Sequence, residues 1–320
     1  MEQRVAIHKK PQKLKPIRVR RGRYLTRGND DRFSVACALA DGCHLGYRTA
    51  LEYHGLAEPS DVLYVCSPRR VRPCFREGLT YRHVSGFSDR LLLERNGVRV
   101  PSLSRLFVDV IDRPSLSGDL GDILIKMGGR INFDEVSEYL DSLGNKSLCK
   151  KVGYYAWLYC DYLEPPLEFL DQCRERGKDV CVRIPGEDGR FNSLWNIVAP
   201  RIPVPAPEFS MPVCQEAKRM LVDMLNEKKA MWSQGNEADE KSTPDEEVIE
   251  KCLLHLEFED MGFLFMVYPE DRIRYVFRHS LLRQNYYYEV INWLLAVVVF
   301  NMENANKYIE YYSRLPKTFL

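Results

Sequence analysis

Residues 98–121 read VRVPSLSRLFVDVIDRPSLSGDLG, and this stretch decides the fold class. The run at 98–100 predicts a short strand. A helix follows, with Ser102 or Ser104 placed to cap it by accepting a bond from an orphan backbone N–H. Leu103, Leu106, Phe107, Val110 and Ile111 recur at helical spacing and make one apolar face. Pro114 cannot continue the helix and disfavours helical geometry at Arg113. A strand running into a capped helix that stops hard is a unit of a mixed fold.

The segments on either side extend that picture. Residues 1–15 are polar and lysine-rich and read as an extended arm. In 17–26, IRVRRGRYLT, apolar and basic residues alternate around Gly22, which predicts a hairpin. Short helices are expected at 33–39 and 44–54, the second closed by Gly55. Strands at 62–66 and 79–83 flank the loop SPRRVRP. Asn132 caps a helix over 133–143 that Gly144 ends, and a further helix covers 147–160. Strands follow at 180–184 and 194–198.

The proline-rich run PRIPVPAP then marks a boundary. A helix at 216–232 and a weakly apolar linker at 233–244 lead to a helix at 245–254. Strands are expected at 256–268 and 272–279, and a hairpin at 296–302 and 308–315. Val297, Val298 and Val299 with Tyr311 and Tyr312 favour that hairpin over one helix across 286–312. The expected class is α+β. Its parts are an arm and hairpin (1–32), a core (33–203), a linker carrying a helix (204–244) and a small acidic α+β domain (245–320).

Charge is unevenly spread. The chain has a net charge of +1, yet residues 1–105 hold 21 Lys and Arg against 10 Asp and Glu. Such a basic third fits nucleic acid or an acidic partner; it equally fits a solvated face that the acidic remainder offsets. No apolar run approaches the roughly 18 residues of a membrane helix, and the N-terminus lacks the apolar core of a secretory signal, so a cytoplasmic protein is expected. The ten cysteines show no Cys-x-x-Cys and no zinc spacing, so they are expected to be buried or half-buried free thiols. Nothing points to a cofactor or a metal.

Two basic clusters stand out. Arg18, Arg20, Arg21 and Arg23 lie on the first hairpin, behind Lys9, Lys10, Lys13 and Lys15. Arg69, Arg70 and Arg72, with Arg76, occupy a loop stiffened by Pro68 and Pro73. Both sets can grip phosphates without reading sequence, or can be solvated edge charges. Asp109 and Asp112 stand one turn apart and could act as a carboxylate pair. Arg105 four residues ahead and Arg113 just after favour an Arg–carboxylate network instead. His54 ends a helix, which a dipole contact explains without catalysis. Phosphate-binding glycine loops, G-x-S-x-G and H-E-x-x-H are all lacking, so no catalytic residue is expected.

Four of these stretches together resemble one family, the AbiEi-like antitoxins and transcriptional regulators of type IV toxin–antitoxin systems. They are LKPIRVRRGRYL, HLGYRTALEYHGL, VRVPSLSRLFVDVIDRP and LGNKSLCKKVGYYAWL, in family order over residues 14–200. The resemblance implies a winged-helix wing at the first hairpin and an AbiEi-like α/β core. It implies an antitoxin of phage defence that neutralises a cognate toxin and regulates transcription by binding DNA. It also implies structural or partner contacts for His54, Arg105, Asp109, Asp112 and Arg113. Only about 14 residues precede the hairpin, so the recognition helix of the family's helix-turn-helix is not expected. That shifts the expectation from base reading to phosphate contact. A protein-interaction module without DNA binding is the alternative, and a metal-dependent nuclease or transferase a more remote one.

Overall fold

The computed structural model describes residues 17–20, 23–25, 31–86, 88–209, 213–231 and 241–316. The chain is mixed α+β and divides into two compact units, Met1–Leu148 and Cys149–Leu320. That division falls inside the span expected as one core.

The first unit begins with β1 (Ile17–Arg20) and β2 (Arg23–Leu25), an antiparallel pair. Then come α1 (Arg32–Cys37), β3 (His44–Leu45), α2 (Tyr47–Tyr53) and β4 (Val62–Cys66). β5 (Cys74–Arg76) and β6 (Leu79–Val84) follow, then β7 (Leu92–Arg95) and β8 (Val98–Pro101). The unit's helices continue as α3 (Leu103–Asp112), α4 (Leu120–Lys126) and α5 (Phe133–Leu143). β3, β4, β6 and β5 form a four-stranded sheet in which β4 and β6 are parallel. Asn96 and Gly97, both at positive φ, make the tight turn of the β7–β8 hairpin. That hairpin and the short β5 were not expected from the sequence.

Helix α3 is the centre of this unit. Leu106, Phe107, Val108, Val110 and Ile111 are all buried, against α2, α4 and α5. Ser102 caps α3 by accepting from the Arg105 N–H (3.3 Å), while Ser104 Oγ accepts from Asn132 N–H at the start of α5 (3.1 Å). Asn132 in turn accepts from the N–H groups of Asp134 and Glu135, and Gly144 closes α5 in the left-handed region.

The second unit holds nearly all of α6 (Lys146–Leu158), then α7 (Cys160–Leu163) and α8 (Leu167–Arg176). β9 (Val182–Arg183), β10 (Arg190–Asn192) and β11 (Ile197–Ala199) form a small sheet with β11 central. From there on the described elements are helical, among them α9 (Gln215–Glu227), α10 (Asp245–His255), α11 (Met261–Val267), α12 (Glu270–Val276), α13 (Asn285–Leu294) and α14 (Ala305–Tyr312). π-helical turns cover Phe277–Leu281 and Leu295–Val299.

These helices correct the expected acidic α+β domain. Residues 256–268 and 272–279 are not strands, and 296–315 is not a hairpin. Nor is 286–312 one helix, since it breaks between the second π turn and α14. Burial at helical spacing prevails over β-branched composition: Ile273, Val276, Phe277 and Leu281 are buried together, as are Ala305, Tyr308, Ile309 and Tyr312. Pro269 with Glu270 and Asp271 also supplies a proper helix start. Of the weakly apolar linker expected at 233–244, residues 233–240 lie outside the described residues.

Inside the second unit, Trp157 donates from Nε1 to the Tyr311 carbonyl (2.9 Å). Asp161 is buried between Arg278 Nε (2.8 Å) and His279 Nε2 (2.7 Å). Burial alone would push the Asp161 carboxyl up, but Arg278 and His279 together hold it below its ordinary range. Gly153 sits where a Cβ would stand 2.5 Å from Cys173 Cβ and 2.7 Å from Trp195 Cζ3. Replacing Gly153 with Ala should therefore destabilise the chain by about 1–3 kcal/mol. Gly262→Ala, where nothing lies within 4 Å, should be neutral or stabilising by up to about 1 kcal/mol. Urea midpoints of the two variants test this; equal losses would refute the close-packing account.

Candidate functional site

Arg105 is 1% exposed and uses its guanidinium in three directions. Nε donates to Asp109 Oδ2 (3.2 Å), and Nη1 donates to the carbonyls of Ser88 (2.9 Å) and Arg90 (2.8 Å). Nη2 lies 3.1 Å from His44 Nε2. An arginine can only donate, so His44 Nε2 is the acceptor and the ring is neutral. Burial, with Arg105 beside it, pushes the His44 pKa down to about 3. Tyr139 donates to Asp109 Oδ1 (3.0 Å), and its ring lies under the Arg105 guanidinium at 5.4 Å. Burial pushes the Asp109 carboxyl up, against the pull of Arg105 and Tyr139.

Asp112 is turned elsewhere. It is half exposed and pairs with Arg113 Nε at 3.5 Å, while Arg113 Nη1 donates to the Ser85 carbonyl (2.8 Å). Each aspartate is thus engaged by its own arginine. Among the described residues no group of three or more His, Cys, Asp or Glu could hold a metal. His54 closes α2, and its Nε2 bonds the Pro101 carbonyl of β8 (2.8 Å). Burial pushes its pKa down. It lines a cleft of about 530 Å³ with Arg95, Ser102, Arg130 and Glu135.

The basic loop between β4 and β5 is a different environment. Val71 is buried at its centre and Ser67 Oγ donates to the Arg69 carbonyl, so the loop is pinned from inside. Arg69, Arg70 and Arg72 point outward and are exposed. None of the three has an ion-pair partner among the described residues. Arg82 on β6 is also exposed and likewise unpaired there, and Phe75 on the edge strand β5 is 73% exposed. Arg76 differs from its neighbours in pairing with Glu77 (3.0 Å). In the first hairpin, Arg18 and Arg20 lie on β1 and Arg23 on β2; their side chains, Arg21 and the lysine arm lie outside the described residues.

None of the ten cysteines is in a disulfide, and Cys181 and Cys214 are exposed where buried or half-buried thiols are expected. Burial pushes the thiol of Cys37 up to about 11 and those of Cys66 and Cys252 up to about 12, so these three are protonated near neutrality. No described helix is long and apolar enough to cross a membrane. No family model, curated protein or solved structure matches the chain.

Two predictions follow from the buried arginine. Arg105→Met should cost about 3–5 kcal/mol by leaving Asp109 without its partner, and Tyr139→Phe about 1 kcal/mol; chemical denaturation that ranks them in reverse would refute this network. The second concerns pH. Unfolded, the His44 ring takes up a proton near its ordinary 6.5, but folded only near about 3. Below 6.5 the unfolded state therefore binds more protons, and stability falls as pH drops, by up to about 1.4 kcal/mol per pH unit from this ring. His54 and His255 are shifted the same way. His44→Gln, which keeps an acceptor for Arg105, should flatten part of the fall between pH 6.5 and about 4. An unchanged slope of stability against pH would contradict it.

Proposed function

We propose that this chain is an AbiEi-like antitoxin whose first unit grips nucleic-acid phosphates and which neutralises a partner toxin protein. The carrying observation is the pinned loop with Arg69, Arg70 and Arg72 exposed and unpaired. Guanidinium groups held apart from carboxylates keep their full charge for phosphate oxygens. Arg82 and the exposed Phe75 stand on the same sheet and extend that surface. The β1–β2 hairpin takes the place of a wing, with Arg18, Arg20 and Arg23 on its strands, and Arg21 would join them. Such contacts position a protein on a duplex without reading bases.

The role of the family-motif residues in this reading is architectural. Arg105 and Asp109 hold α3 against the sheet, Arg113 ties its end to the Ser85 carbonyl, and His54 ties α2 to β8. Satisfied groups of this kind support a regulator rather than a catalyst. The exposed residues Tyr286, Tyr287 and Val290 on α13 favour a protein-interaction role as the second reading.

Duplex binding by the full chain should weaken steeply with salt, log K falling by about 0.9 per phosphate contact for each tenfold rise in salt. Replacing Arg69, Arg70 and Arg72 together by Ala should make that slope shallower by roughly 2 to 3, equally for unrelated sequences. Duplex affinity that is absent at low salt sinks the DNA part. Expression of a neighbouring gene that is harmless alone, or toxic and not relieved by this chain, sinks the antitoxin part.

A further inference from the structure

The second unit contains a basic cleft that none of the preceding readings uses. It measures about 310 Å³ and is lined by Lys150 of α6, Arg174 and Glu175 of α8, Lys178 just beyond that helix, Trp195 and Asn196 before β11, and Arg314 beyond α14. Trp195 among them is 1% exposed, and its Nε1–H has no hydrogen-bond partner among the described residues. The neighbouring Trp157 shows what a buried indole ordinarily does, since its Nε1 is satisfied by the Tyr311 carbonyl at 2.9 Å. The benzo end of the Trp195 ring, Cζ3 and Cη2, rests on Gly153. Nε1 is therefore on the opposite edge of the ring. A buried N–H without an acceptor costs about 1–3 kcal/mol unless something fills the position.

Charge in the cleft points to what fills it. Lys150 is 1% exposed, its stem packed on Gly177, and its ammonium donates to the Val180 carbonyl. It has no ion-pair partner among the described residues, and neither does the exposed Arg314. Burial pushes the Lys150 pKa down, against the pull of nearby Asp179. Arg174 and Lys178 are matched by Glu310 (2.9 Å) and Glu175 (3.2 Å). Among the described residues Lys150 and Arg314 thus make no close ion pair, and the Trp195 Nε1–H has no acceptor.

We infer that this cleft binds a phosphoryl oxyanion, with the Trp195 indole N–H as its neutral donor and Lys150 and Arg314 as its charged ones. The arrangement is fixed by the fold: Asn192 Oδ1 accepts from the Trp195 backbone N–H (3.1 Å) and sets the turn that presents the indole.

Calorimetric titration of the full chain tests this, with inorganic phosphate in one arm and a nucleoside 5′-monophosphate in the other. Saturable binding in either arm is expected, and the tighter arm identifies free phosphate or a phosphate monoester as the source. Trp195→Phe, which removes only the donor, should weaken binding about tenfold, and so should Arg314→Ala, a surface change that leaves the core untouched. Lys126→Ala, in the other unit and paired with Asp122 on the surface, should leave it unchanged. No binding in either arm overturns the inference, as does binding that Trp195→Phe and Arg314→Ala both leave intact.

Discussion

One guanidinium group organises the first unit. Arg105 is out of water, and its N–H groups must all find acceptors there. The acceptors come from the next turn of its own helix, from the Ser88 and Arg90 carbonyls ahead of β7, and from His44 on β3. Helix α3 can therefore occupy only one rotational setting against the sheet. Everything attached to it follows: the Ser104–Asn132 bond that starts α5, the Tyr139 hydroxyl that completes the Asp109 shell, and the neutral state of His44. An apolar residue in its place could supply burial but not direction.

The same requirement separates the two kinds of arginine in this unit. Arg105 and Arg113 are consumed by carbonyls and carboxylates, so they are part of the scaffold. Arg69, Arg70 and Arg72 are presented by a loop whose buried side chains are Ser67 and Val71. A loop that is rigid inside and charged outside loses little entropy when it meets a polyanion. That contrast, rather than the count of basic residues, gives the loop its functional weight.

Local signals made much of the first unit legible. Ser102, Asn132, Gly144 and Pro114 each act within a few residues, and α3 and α5 lie where those residues place them. The β7–β8 hairpin carries an equally local mark, the Asn96-Gly97 pair with both residues at positive φ. In the last hundred residues, tyrosines and valines suit strands by composition, yet their burial follows a helical period that only the packed unit enforces. The pinned basic loop was visible as SPRRVRP. The cleft around Trp195 was not, because Lys150, Arg174, Trp195 and Arg314 are brought together only by the fold.

The distribution of thiols gives the molecule a chemical record of its own opening. Cys43 and Cys66 are sealed in the first unit, and Cys149, Cys160, Cys173 and Cys252 in the second, while Cys181 and Cys214 face solvent. An alkylating reagent would mark the two exposed sulfurs at once and each sealed set only when its own unit breathes. The order in which the sealed sulfurs acquire the label would then tell whether the two units open as one cooperative body or as two. No engineered probe would be needed to read it.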